Sequence, residues 1–184
     1  MATTTRKSGR TGLVAMTGVT KRGQRSAEGV ARAIFTAIEA RDLDRLGALQ
    51  HDDVVDDFVA VGVMRGRAAA RGFFEELLGA FPDFRIRIVR LIATEDRAVV
   101  EWEATGTFTG TPFQGFDANG KAVMTRGVDC MQFDGGKLRH NVIYYDGAAF
   151  ARDLGLLPPL GGVAEKGMKT AFNALTRVRR AIGW

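Results

Sequence analysis

The segment Arg85-Ile86-Arg87-Ile88-Val89-Arg90-Leu91 alternates charged and apolar side chains. A period of two gives a strand one wet and one dry face, whereas a helix would scatter the same residues around its circumference. Downstream, Glu95-Asp96 turns the chain into a second strand over 98–108 that contains Val99, Val100 and Trp102. A loop marked by Gly106, Gly110, Pro112, Gly115 and the pair Asn119-Gly120 leads to a third strand over 122–133, and Asp134-Gly135-Gly136 opens a fourth over 138–145. Four consecutive strands separated by turn residues predict an antiparallel sheet.

Upstream the period lengthens to that of a helix. Ser26 stands where a cap is needed, and Val30, Ala33, Ile34, Ala37 and Ile38 recur three or four apart as far as Ala40. Asp42 caps a second, short helix through Leu43, Leu46 and Leu49. A third helix over 67–81 carries Phe73, Phe74, Leu77 and Leu78 and stops at Pro82, whose ring cannot continue it. Between the second and third helices, His51-Asp52-Asp53-Val54-Val55-Asp56-Asp57-Phe58 reads as a solvated acidic turn into a short strand. Helices followed by a run of strands predict an α+β domain over 26–160, with the helices packed on one face of the sheet.

The two ends differ from this core in charge. The chain has 184 residues, 46% of them hydrophobic, which suits one domain with tails better than two domains. Its net charge of +5 is unevenly spread: residues 1–25 carry +6 with no acid and residues 163–184 carry +4, so the core between them is net acidic. That distribution argues against specific nucleic-acid binding by the core. Residues 1–25, rich in Thr, Gly, Ser, Lys and Arg without an apolar period, read as a disordered basic arm. Residues 161–184 read as an amphipathic basic helix, with Met168, Phe172, Leu175, Val178 and Ile182 along one side. Three roles are open to it: docking on the domain, packing in a homodimer, or lying on an acidic membrane. No apolar run is long enough to span a bilayer or to form a signal-peptide core, and the lone Cys130 has no internal disulfide partner. A reducing cytoplasm is the expected setting.

Several short strings add a family resemblance. They are Ala40-Arg41-Asp42-Leu43-Asp44, Ala80-Phe81-Pro82-Asp83-Phe84, Trp102-Glu103-Ala104-Thr105-Gly106-Thr107, Gly127-Val128-Asp129, Asp134-Gly135-Gly136-Lys137, and Tyr145-Asp146 followed by Leu154-Gly155-Leu156-Leu157-Pro158. In this order and spacing, across residues 28–158, the chain resembles the SnoaL-like polyketide cyclases of the NTF2-like superfamily. The resemblance implies a curved antiparallel sheet wrapped by helices into a cone, with a mostly apolar cavity at its mouth. It also implies a cofactor-free reaction and an apolar polycyclic or polyketide-like ligand. The same fold hosts isomerases, epoxide hydrolases and non-catalytic binding modules, so the site must decide among them.

Asp129 is the leading candidate for chemistry. It lies inside the third strand between Val128 and Cys130, where a carboxylate is costly to bury alone and where burial raises its pKa towards neutrality. In the cyclases an Asp on the matching strand acts as general acid and base for an aldol closure, and Asp129 resembles it; otherwise it is a surface acid paired with Arg126 or Arg139. Asp146 resembles one arm of the Asp-Arg-Asp set of epoxide-opening relatives, or else caps a helix over 147–154. The Arg of that set is absent, since its position reads Glu101-Trp102-Glu103. An isomerase of the ketosteroid type needs a Tyr donor, which only Tyr144 or Tyr145 can supply.

Many SnoaL-like members carry Gly-Thr-His where this chain has Gly106-Thr107-Phe108. His140 either restores an imidazole to the cavity or sits on the surface beside Arg139. Trp102, Phe108, Phe113, Phe116, Met124, Met131 and Tyr144 either line a ligand pocket or fill core. No metal site is expected, because the acidic cluster at 51–57 lacks the loop spacing of a calcium site. Deleting residues 1–25, which offer no apolar stripe to bury, is expected to shift the melting temperature by less than about 5 °C in a thermal scan. A larger fall would mean that the arm is docked.

Overall fold

Ser26 opens the first helix as the sequence requires: its hydroxyl accepts the Gly29 N–H at 3.2 Å, and α1 (Ala27–Glu39) follows. The computed structural model describes residues 26–183, so the basic arm expected over 1–25 lies outside the described residues. Helix α1 buries Val30, Ala31, Ile34, Phe35, Ala37 and Ile38 against the sheet. Asp42 caps α2 (Leu43–Ala48) by accepting the Arg45 N–H at 2.9 Å. The chain then enters β1 (Gln50–Phe58), β2 (Gly62–Arg65) and α3 (Arg67–Ala80). The strands β3 (Arg85–Ala93), β4 (Arg97–Thr107), β5 (Ala122–Asp134) and β6 (Lys137–Tyr145) come next, followed by α4 (Gly147–Asp153) and α5 (Val163–Ala181).

All six strands form one open, curved sheet in the order β2-β1-β6-β5-β4-β3. The four strands expected from the alternating pattern pair antiparallel, whereas β1 runs parallel to β6 on its other side. The hairpin partner β2 carries no buried residue and so left no apolar alternation to read. The register shifts between Ile88 and Arg90, between Gln50 and Val55, and between Gln132 and Phe133. An unpaired extra residue bends its strand, so these shifts supply local curvature.

The two sheet faces differ sharply. On β4 and β5 the residues Ala98, Val100, Trp102, Ala104, Val123, Asp129, Met131 and Phe133 are buried under the helices. Their alternates face outward, where Glu103 is paired with both Arg87 and Arg126. Both arginines are largely exposed, although the Glu103 side chain they share is not, and ion pairs with such exposed partners contribute little to stability.

Arg41 ties the first helical layer to α3. It adopts φ 58°, a left-handed conformation that is uncommon for a residue with a side chain. Its guanidinium donates to the carbonyls of Leu78 at 2.9 Å and Phe81 at 2.8 Å, and also to that of Pro82. Those carbonyls lie in and just past the last turn of α3, where the helix supplies no donors; that of Phe81 also accepts the Phe84 N–H at 3.0 Å. Helix α5, by contrast, keeps its apolar row exposed, with Met168, Phe172, Leu175, Val178 and Ile182 all open to solvent. Its first turn is held by Glu165, which accepts the Gly161 N–H at 2.6 Å and pairs with Lys169 at 3.0 Å. Replacing Arg41 by Ala removes three donors from the end of α3, and is expected to lower stability by about 1 to 3 kcal/mol in urea denaturation.

Candidate functional site

Asp129 lies on the concave side of the sheet and is only 7% exposed. Its two carboxylate oxygens each take one donor from a neighbouring strand. The Trp102 indole N–H of β4 donates to Oδ1 at 2.7 Å, and the Asn141 amide of β6 donates to Oδ2 at 2.8 Å. Both donors sit diagonally across the ladders, because Trp102 pairs with Gly127 and Asn141 with Met131. Gly127 makes the first contact possible: a Cβ there would overlap the indole ring of Trp102 and the carbonyl of Tyr144. Burial pushes the Asp129 carboxyl up to about 6, and its two hydrogen bonds pull against that rise.

A second acid shares the cavity. Within β1 the alternation Val54, Asp56, Phe58 points inward, and Asp56 is 2% exposed. The expectation of a solvated acidic turn is therefore corrected at this residue: the run is a nine-residue strand, and alternation sends one of its acids into the core. The outward neighbours behave as expected, with Asp52 paired to Arg67 and Asp53 to Arg139. The Gln50 amide donates to Asp56 Oδ2 at 3.3 Å, while Asp56 Oδ1 finds no partner. Asn141, which faces Asp56 across the β1–β6 ladder, likewise has an unpartnered Oδ1. Burial, reinforced by the charge of Asp129, pushes the Asp56 carboxyl up to about 7. A proton on Asp56 supplies the donor that this corner lacks, so near neutrality the pair holds one proton, with Asp129 as the anion.

These groups open onto a cavity of about 100 Å³ walled by α1, α3, α4 and the concave sheet face. Its lining is mostly apolar, including Phe35, Phe58, Phe73, Phe81 and Phe150, with polar atoms from Gln50, Asp56, Thr105, Thr125, Asp129, Asn141 and Tyr145. Of the candidate site residues singled out in the sequence, Asp129, Trp102, Phe113 and Tyr145 meet here. Phe108 is instead buried beside the cavity, stacked on Phe81 with ring centroids 5.3 Å apart, and Met131 is buried core. Phe116, Met124 and Tyr144 are exposed on the outside.

His140 is half-buried on the face of β6 opposite Asn141, away from the lining. Asp146 caps α4 by accepting the Ala149 N–H at 2.8 Å. The sequence reading missed Asp56, Asn141 and Gln50. Asp56 was within reach of the period-two rule had β1 been drawn to its full length.

A model of the SnoaL-like polyketide cyclase family matches residues 28–154, most of the chain. The protein belongs to this family. Solved structures agree on the fold of this SnoaL-like domain. AclR from Streptomyces galilaeus, a candidate hydroxylase, is 22% identical with a TM-score of 0.65, over 83% of this chain and 96% of that one. IdmH from Streptomyces antibioticus, a candidate polyketide cyclase, is 19% identical with a TM-score of 0.62, over 71% and 99% respectively. TerC, co-crystallized with polyporic acid, is 18% identical with a TM-score of 0.56, over 68% and 95%. Identities this low carry the fold and not the activity. No curated protein matches the sequence of the chain.

Both buried acids of this SnoaL-like site have folded pKa values raised above the roughly 4 of an unfolded carboxyl. The native state therefore holds more protons than the unfolded chain between about pH 4 and 7, and their contribution to stability falls as pH rises through that window. Asp56→Asn is expected to stabilise the protein by about 1 to 3 kcal/mol at pH 8, with the gain fading towards pH 4, when urea midpoints are compared at the two pH values.

Proposed function

We propose that this SnoaL-like protein is a cofactor-free cyclase that closes a ring in a polyketide-like substrate by an intramolecular aldol reaction. The observation that carries this reading is a buried carboxylate, Asp129, held by two donors in an otherwise apolar cavity beside a second acid. In the reaction Asp129 removes a proton from a carbon flanked by carbonyls. The resulting enolate carbon attacks a second carbonyl of the same molecule, so that a C–C bond forms as the C=O π bond opens. The alkoxide so produced takes a proton from Asp56, and the proton on Asp129 returns the pair to its starting state.

The apolar walls support this chemistry in two ways. They raise the basicity of Asp129, and they hold the folded substrate with its reacting carbons close, an effect that removes several kcal/mol from a barrier. The co-crystal of the related TerC with polyporic acid supports an organic molecule as ligand. The absence of any guanidinium among the described lining residues argues against epoxide opening.

A second reading, a binding module without catalysis, draws on Phe108. This residue fills core on Phe81 where many relatives present a His. The isosteric change Asp129→Asn separates the two. With an aromatic β-keto ester bearing a pendant carbonyl as probe, a cyclase should lose about 10²-fold or more in kcat/KM while its affinity is kept. For the parent protein, kcat/KM should rise with pH as Asp129 ionises near 6 and fall as Asp56 loses its proton near 7, giving a narrow bell. Equal turnover by the parent and the Asn variant would overturn the assignment of Asp129.

A further inference from the structure

Helix α5 takes no part in the site, and its surface is organised. Met168, Phe172, Leu175, Val178 and Ile182 recur at three- and four-residue steps and form one stripe along its length. Every one is exposed, from 49% at Leu175 to 69% at Ile182. At 100° per residue Lys166, Arg177 and Arg180 fall on the opposite side and Lys169 at its flank, while Arg179 projects beside the stripe near its end. A stripe of this kind needs a cover, since a lone helix gains its stability from burying its apolar face.

The charge pattern selects among covers. Residues 163–184 carry +4, and the arm at 1–25 adds +6 on the same chain. Pairing α5 with α5 of a second copy would bring two strongly cationic helices together. A sheet of anionic headgroups over hydrocarbon satisfies both sides at once: the stripe enters the acyl boundary, and the long Lys and Arg stems lift their charges to the phosphates. At nineteen residues the helix is long enough to lie along such a surface, and no described helix is apolar enough to cross it. The acidic core offers no competing attraction for the same lipids.

We infer that α5 is an interfacial anchor, whose exposed apolar stripe and cationic flank dock the protein flat on a bilayer rich in anionic lipid. The test is co-sedimentation of the full chain with phosphatidylcholine vesicles, with and without phosphatidylserine, at physiological salt. The chain should pellet only with the phosphatidylserine vesicles. A Phe172→Asp, Leu175→Asp double variant should lose about tenfold or more in partitioning, while its melting temperature stays that of the parent, because both side chains are exposed in the fold.

A Phe172→Trp variant keeps the stripe intact, and its emission should shift to the blue when phosphatidylserine vesicles are added. Three results would overturn the inference. The first is no binding to either vesicle. The second is undiminished binding by the double Asp variant, which would leave the charge of the basic segments as the sole attraction. The third is a dimer in sedimentation velocity that the same variant converts to monomer, which would make a second copy the cover.

Discussion

The site depends on the cost of keeping a carboxylate out of water. An isolated ionised group in an apolar interior is too expensive to persist, so Asp129 exists as an anion only because donors reach it from both neighbouring strands. Each donor imposes a further requirement. The Trp102 indole lies flat across β5 because position 127 has no side chain. The Asn141 amide faces inward because the ladder shifts register between Gln132 and Phe133, where a strictly regular β6 carrying Leu138 inward would have turned Asn141 out. A glycine and an irregularity thus serve one carboxylate.

The second acid changes what the first can do. Two carboxyl groups in one low-dielectric space resist ionising together, so the pair divides into a base and an acid at the same pH. Here the division follows from hydrogen bonding: Asp129 faces two donors, whereas Asp56 has one long bond from Gln50 and an oxygen left over. The proton that Asp56 keeps is a donor in this corner, and it can serve Asn141 Oδ1 or a substrate oxygen.

The strands and helices were legible because their periods are clean. The alternation from Arg85 onward and the three-four spacing in α1 survive in the structure to within a residue or two. Asp129 was legible for the same reason, being a charge on an otherwise apolar strand face. The aromatic residues were harder, because a Phe carries no mark of which side of a wall it forms: Phe113 lines the cavity, Phe108 backs it and Phe116 lies outside. Asp56 was hidden by its neighbours. Four acids in a six-residue span read as solvated, and only the full strand length separates the one that turns inward. Asn141 was missed because an amide acquires its role from the parallel pairing of β1 with β6, a contact that no local signal announces.

That parallel pairing bears on when the site comes into being. β1 is near the start of the domain and β6 near its end, and they join side by side only after all the intervening chain has been made. A ladder between such distant segments carries a large loop-closure cost and forms late in folding. During synthesis the hairpin of β4 and β5 can bring Trp102 and Asp129 together, but Asn141 and Asp56 reach them only when the last strand emerges and inserts between β1 and β5. The growing chain is therefore chemically silent until β6 docks. Reactive polarity in this protein belongs to the finished molecule, and no fragment shorter than the whole sheet can carry it.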